Sequence, residues 1–131
     1  MTRYLLDTTA LIDFSRGREP AVSWIRAMLA DRHELGVCDV NVAEFYSGLP
    51  VGASPAVDEF LQALTYWDIS RAAAARAGTD RYSYARRGQQ LSTTDVLVAA
   101  SARERGAVLV TANVKDYPMT DLEVLPLRGA T

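Results

Sequence analysis

Short apolar runs alternate with helix-patterned segments along the chain, and this alternation constrains the fold more than any other feature. YLL at 4–6 is a buried-strand pattern that ends at Asp7. A helical pattern begins at Thr8, carrying Ala10, Leu11 and Phe14 up to the break at RGREP. Pro20 suits the first turn of a second helix, where its missing N–H is harmless, and Val22, Ile25, Met28 and Leu29 form one stripe on it. ELGVCDV at 34–40 reads as a second strand. A helix over VAEFYSGL follows and stops near Pro50, then a turn over 50–55 and a helix over VDEFLQAL. YWDIS at 66–70 is a third strand candidate. RAAAARAGTDRYSYARRG is helical by its alanines, with Gly78 as a point of interruption. TTDVLVAASARERG has a threonine cap, Asp in its first turn, Arg in its last and Gly106 beyond. AVLV at 107–110 is a strand, and LEVLPL adds a last short one. The expected fold is α/β, a three-layer sandwich whose short, mainly parallel sheet is flanked by helices.

Residues 1–131 form one expected domain, since no repeat, low-complexity tract or long linker divides them. The net charge of −2 gives no global attraction to nucleic acid, although a local patch is enough for binding. Of the 14 basic residues only Lys115 is lysine; the arginines suit bidentate contact with phosphate or carboxylate, or reflect coding bias. Cys38 is the single cysteine, so no internal disulfide forms and a reducing compartment is compatible. It is expected to be a small buried hydrophobe. MTRYLLDTT is too short an apolar run for a signal peptide, and no stretch approaches the ~20 apolar residues of a membrane span. A cytoplasmic protein is expected.

Most of the 16 acids, among them Asp31, Asp58, Glu59, Glu104 and Asp121, lie in polar surroundings. Four do not. Asp7 ends the first strand, Glu44 lies in the largely apolar VNVAEFY, Asp95 opens the VLVAA helix, and Asp116 follows the fourth strand in VLVTANVKDY. In an open parallel sheet the carboxyl ends of the strands form the ligand crevice, where Asp7 and the Thr111–Asp116 loop fall. The Asp95 helix has about three turns, roughly 15 to 20 Å. Its N-terminus reaches the same crevice if the preceding helices carry the chain back there. Clustered carboxylates repel one another, and a hard divalent cation such as Mg²⁺ or Mn²⁺ reverses that balance. An acid-only site of this kind points to metal-assisted chemistry on a phosphate ester.

Each acid also has a simpler explanation. Asp7 can cap the first helix, Asp95 with Thr93 or Thr94 can cap its own, and Asp116 can end a turn. Glu44 sits mid-helix, where a cap cannot account for it, so an ion pair with an arginine is its alternative. With His33 alone there is no zinc cluster, and a Ser–His–Asp enzyme is hard to build. No GxxxxGK[ST] or GxGxxG occurs. A receiver-like phosphoryl-accepting domain would need paired acids after the first strand, which are missing, and would use Asp68 in YWDIS. A haloacid-dehalogenase-type phosphotransferase would need DxD, and LLDTT lacks the second Asp. A non-catalytic binding protein on the same fold is the remaining rival.

LLDTTALID, VAEFYSGL, TTDVLVAASARERGAVLVTAN and NVKDY, in that order and over essentially the whole chain, resemble the PIN-domain family, in particular its VapC-type toxins. The resemblance implies a Mg²⁺- or Mn²⁺-dependent endoribonuclease, commonly homodimeric, neutralised by a cognate VapB-like antitoxin. Residue by residue, it implies metal-binding roles for Asp7, Glu44 and Asp95, with Thr111 as the hydroxyl beside the site. Some members place the fourth acid two residues after that threonine, where this chain has Asn113. Asp116, in the NxxD-aromatic ending, is the available carboxylate, acting directly, through water or by shaping the loop. Thr8 and Thr9 match the small polar residues that follow the first Asp.

DRYSYARRG interleaves aromatic and basic residues, with Tyr82, Arg86 and Arg87 placed to meet RNA or an acidic antitoxin segment. The alternative is an ordinary helix end. Arg16 and Arg18 follow the first helix and border the expected crevice. Apolar positions near 54–65 serve either a partner or the core.

Overall fold

β1 (Arg3–Leu6) is the central strand of a five-stranded sheet ordered β3-β2-β1-β4-β5, in a computed structural model that describes residues 1–49 and 54–127. β2 is Glu34–Cys38, β3 Thr65–Trp67, β4 Val108–Thr111 and β5 Val124–Pro126. Every pairing is parallel, so the sheet is not merely mainly but wholly parallel among the described residues. Successive strands step from β1 to β2 to β3 on one side, and the chain then returns to β4 on the other side of β1. That reversal is a topological switch point, and it lies between the carboxyl ends of β1 and β4.

The helices are α1 (Thr8–Ser15), α2 (Ala21–Ala30), α3 (Asp39–Ser47), α4 (Pro55–Gln62), α5 (Arg71–Arg86) and α6 (Thr93–Arg105). They cover the sheet on both faces. One core joins Leu6, Leu35, Val37 and Val110 to Ala10, Leu11, Ile25 and Phe45. The other joins Leu5, Cys38, Trp67 and Leu109 to the alanine-rich faces of α5 and α6. Neighbouring strand residues such as Leu5 and Leu6 alternate between these cores, as the twofold period of a strand requires.

Several expected boundaries move. Asp39 and Val40 open α3 rather than closing the second strand, and β3 ends at Trp67, before Asp68. Helix α5 passes through Gly78 without interruption. Pro20 stands just before α2, at its N-cap, and Ser92 rather than a threonine caps α6. Gly106 ends α6 at φ +62, a left-handed conformation that favours glycine. Of the expected turn over 50–55, residues 50–53 lie outside the described residues. Cys38 is buried, and burial pushes its thiol pKa up, as a small core hydrophobe requires.

Asn41 ties the layers together. Its Oδ1 accepts from the Cys38 backbone N–H at 2.6 Å, half of a capping box at the start of α3. Its Nδ2 donates to the Leu6 carbonyl at 2.9 Å, one residue before Asp7. The side chain is fully buried, so Asn41→Ala leaves a donor and an acceptor without partners in the core. The expected loss is about 3 kcal/mol of unfolding free energy, read by urea denaturation.

Candidate metal and phosphate site

The switch point holds a cleft of ≈ 340 Å³ lined by Asp7, Thr8, Glu44, Asp95, Asn113 and Asp116, with Thr9, Ser92, Thr94 and Tyr117 completing its walls. A slightly larger groove of ≈ 390 Å³, between α5 and α6, contains Arg81 but no acid, so volume alone does not locate the chemistry. Each acid reaches the cleft by a different local device.

Asp7 is 4% exposed and follows β1, whose ladder is prolonged by its own N–H donating to Val110 O at 3.0 Å. It caps α1, accepting at Oδ1 from Thr9 N at 2.7 Å and Ala10 N at 3.4 Å. The Thr9 hydroxyl donates to the same oxygen at 2.5 Å. Its other oxygen, Oδ2, accepts from Thr111 Oγ1 at 2.7 Å and from Tyr117 OH at 3.1 Å. Capping and membership of the cleft are therefore one arrangement, not alternatives.

Asp95 lies at the third position of α6, with its N–H donating to the capping Ser92 Oγ at 3.0 Å. The helix starts at the cleft because α5 runs antiparallel to it. Ser70 Oγ hydrogen-bonds Glu104 at one end of the pair, and Arg81 Nε donates to Leu91 O near the other. Burial holds the Asp95 carboxyl above the ordinary carboxylate range, and the nearby charges of Asp116 and Asp7 push in the same direction.

Glu44 is half-buried on α3, where the Thr8 hydroxyl donates to its Oε1 at 2.8 Å. The alternative of an arginine partner is not realised among the described residues. Asp116 ends a 3₁₀ turn, Val114–Asp116, and is half-buried at the cleft, while Asn113 is exposed beside it. Thr111 is fully buried, its oxygen accepting from Asn113 N at 2.9 Å while its hydrogen goes to Asp7.

None of these four carboxylates pairs with an arginine, lysine or histidine among the described residues. Their uncompensated negative charge and all-oxygen donor set suit a hard divalent cation. Among the described residues no three acids already stand at ligating distance, and the Tyr117 hydroxyl lies between Asp7 and Asp95.

A family model described as the PIN domain matches residues 4–117. The chain belongs to the PIN-domain family. This PIN domain is 26% identical over 122 residues to Ribonuclease VapC2 of Haemophilus influenzae, a match that covers 89% of this chain and 91% of that protein. Ribonuclease VapC19 of Mycobacterium tuberculosis is 29% identical over 118 residues, covering 88% and 92%. In fold, the PIN domain superposes on a chain of the VapBC2 complex of Rickettsia felis, solved on a DNA fragment from its promoter. The TM-score is 0.83 at 20% identity, covering 97% of this chain and 100% of that one.

The four acids expected from the sequence, with Thr8, Thr111 and Asn113, gather at one end of the PIN-domain sheet. The basic candidates lie outside the cleft lining. Arg16 is the exposed C-cap of α1, and Arg18 is partly engaged by the buried Asp13 at 3.6 Å. Tyr82 is 66% exposed with Arg86 5.9 Å above its ring, while Arg87 stacks on the half-buried Tyr84 at 4.1 Å. Of the apolar positions near 54–65, Leu61 and Leu64 belong to the core, and Phe60 stacks on Phe14 at 4.1 Å. Asp68 is exposed and does not line the cleft, so the receiver-like reading loses its phosphate acceptor.

Tyr117 escaped the sequence reading. Its one signal was an aromatic residue directly after Asp116, and nothing local says that its hydroxyl crosses to Asp7, 110 positions away in sequence. Burial, then the charges of Asp7 and Asp95, push its pKa up, so it stays a protonated donor.

Proposed function

We propose that this PIN domain is a divalent-cation-dependent endoribonuclease and the toxin of a toxin–antitoxin pair. The observation that carries the reading is the group of four carboxylates at the β1/β4 switch point, none of them ion-paired among the described residues. The matched relatives named ribonucleases, aligned over about nine-tenths of both chains, make RNA the substrate.

Asp7 and Asp95 are the first-choice ligands, because a single hydroxyl, that of Tyr117, reaches an oxygen of each. Glu44, oriented by Thr8, completes the ligand set or holds the attacking water. Asp116 adds a fourth carboxylate at the rim, beside Asn113. Bound among these acids, Mg²⁺ or Mn²⁺ supplies Lewis-acid charge that offsets the charge developing on the phosphate and acidifies a water. Thr9 and Thr111 fix both oxygens of Asp7, so that the chain spends no reorganisation on orienting this ligand when substrate arrives. Arg16, Arg18, Tyr82, Arg86 and Arg87 are the surface candidates for the RNA backbone or for a VapB-like antitoxin. We further read the protein as a single-domain cytoplasmic toxin that forms homodimers. Among the described residues no helix is long and apolar enough to cross a membrane.

The test is incubation of the purified protein with mixed RNA in Mg²⁺, in Mn²⁺ and in EDTA. Cleavage in either metal, abolished by EDTA and restored by excess metal, is the expected result. Cleavage that persists in EDTA contradicts the metal assignment, and a stable acyl phosphate on one aspartate contradicts the nuclease assignment.

A further inference from the structure

Asp7 accepts hydrogen bonds from three kinds of donor, and they differ in how firmly each is held. Thr9 N is backbone. The Thr9 and Thr111 hydroxyls each accept a backbone N–H, from Ala112 and Asn113 respectively, both at 2.9 Å. Each then directs its single hydrogen at Asp7, at 2.5 and 2.7 Å. The 3.4 Å separation between the two hydroxyls is a much poorer alternative. These donors are locked in direction by the main chain.

The Tyr117 hydroxyl has no such lock. It receives no hydrogen bond among the described residues, and its one hydrogen faces two acceptors, Asp7 Oδ2 at 3.1 Å and Asp95 Oδ1 at 3.3 Å. Only one of the two carboxylates is served at a time. The ring itself is 5% exposed and packed into the core shared by β1, β4 and α6, so the hydroxyl cannot swing freely into solvent. It therefore occupies one oxygen of each acid, Asp7 Oδ2 and Asp95 Oδ1, on the side where the two carboxylates could share a cation.

We propose that the Tyr117 hydroxyl is a built-in competitor for the divalent cation, lowering the affinity of the Asp7–Asp95 pair by holding their facing oxygens. The inference rests on reading these acids as a cation site. A cation entering there must take the lone pairs that the phenol uses and leave a buried O–H without its acceptor. Both effects oppose binding. Conversely, the same hydroxyl eases the contact between two carboxylates when no cation separates them. Tyr117 is thus a residue that trades cation affinity for stability of the cation-free fold.

Tyr117→Phe keeps the ring and removes only the hydroxyl. Mn²⁺ titration of wild type and variant by calorimetry, without RNA, is the direct test. The expected result is Mn²⁺ binding about tenfold tighter in Tyr117→Phe, the size of one hydrogen bond to a charged group. A second readout accompanies it, a Tm lower than wild type in EDTA with a larger upward shift on adding Mn²⁺. Thr111→Val serves as the comparison, since it removes a locked donor from Asp7 Oδ2 without emptying the space between the acids. Its affinity should be unchanged or weaker. Equal or weaker Mn²⁺ binding by Tyr117→Phe, or equal tightening by Thr111→Val, overturns the proposal. Absence of Mn²⁺ binding by both wild type and Tyr117→Phe overturns the cation-site reading beneath it.

Discussion

Asp7→Asn is expected to lower RNA cleavage at least about 100-fold, a loss of ~3 kcal/mol of transition-state stabilisation. The substitution removes the charge at the most heavily hydrogen-bonded of the four acids, whose two oxygens are fixed by Thr9 and Thr111. The fold should survive it. An asparagine keeps an Oδ1 able to cap α1, where Thr9 N and Ala10 N donate. Its amide group, however, would face the Thr111 and Tyr117 hydroxyls, which now donate to Oδ2. A Tm lower by a few degrees is therefore expected alongside the lost activity. Gel assays of RNA cleavage and thermal unfolding on the same preparation read both effects, and wild-type-like cleavage by the variant would falsify the assignment.

Asp95→Asn should lose activity to a similar degree but become more stable without metal. The Asp95 carboxyl sits above its ordinary value of 3.8, first because it is buried and then because Asp116 and Asp7 lie near. The folded protein thus binds the Asp95 proton more tightly than the unfolded chain does. The contribution of this group to stability is fully present below about pH 3.8 and is lost as pH rises through the folded value. At neutral pH in EDTA its ionised form opposes folding, and replacing it with an amide relieves that. The variant should melt a few degrees above wild type at pH 7, and the gap should close as pH falls toward 4. A gap that widens on acidification contradicts this electrostatic account.

The layered architecture is legible because each strand is a short apolar run and each crossover carries a helical stripe. Asp7 and Asp116 are likewise legible, since the carboxyl ends of parallel strands are where a crevice must form. Asp95 is harder. Its place depends on the antiparallel α5–α6 pair, held by contacts such as Arg81 to Leu91 O, which no local pattern announces. The cap of α6 belongs to Ser92 and not to Thr93 or Thr94, a one-residue error within the usual uncertainty of helix ends. Gly78 does not interrupt α5, because tertiary packing along α6 outweighs the cost of one glycine. Gly36 is placed by a close approach instead. A Cβ there would lie 2.2 Å from the Trp67 ring on the neighbouring strand.

Longer-range chemistry is the part that the sequence hides. Asp13, which no local pattern singles out, is 1% exposed, with Arg18 at 3.6 Å. The hydrogen bonds that define Asp7 come from Thr111 and Tyr117, more than a hundred residues later. Such contacts follow from strand order, which juxtaposes β1 and β4, and become visible only once the sheet is built.

Asp7 and Asp95, with Glu44 and Asp116 beside them, are proposed to hold a divalent cation. A crystal grown with Mn²⁺ and measured at the manganese absorption edge tests it most directly. An anomalous peak is expected in the cleft at the ends of β1 and β4, about 2.0–2.3 Å from carboxylate oxygens of Asp7 and Asp95. Protein with ordered acids and no peak there, or with manganese bound only elsewhere, would contradict it.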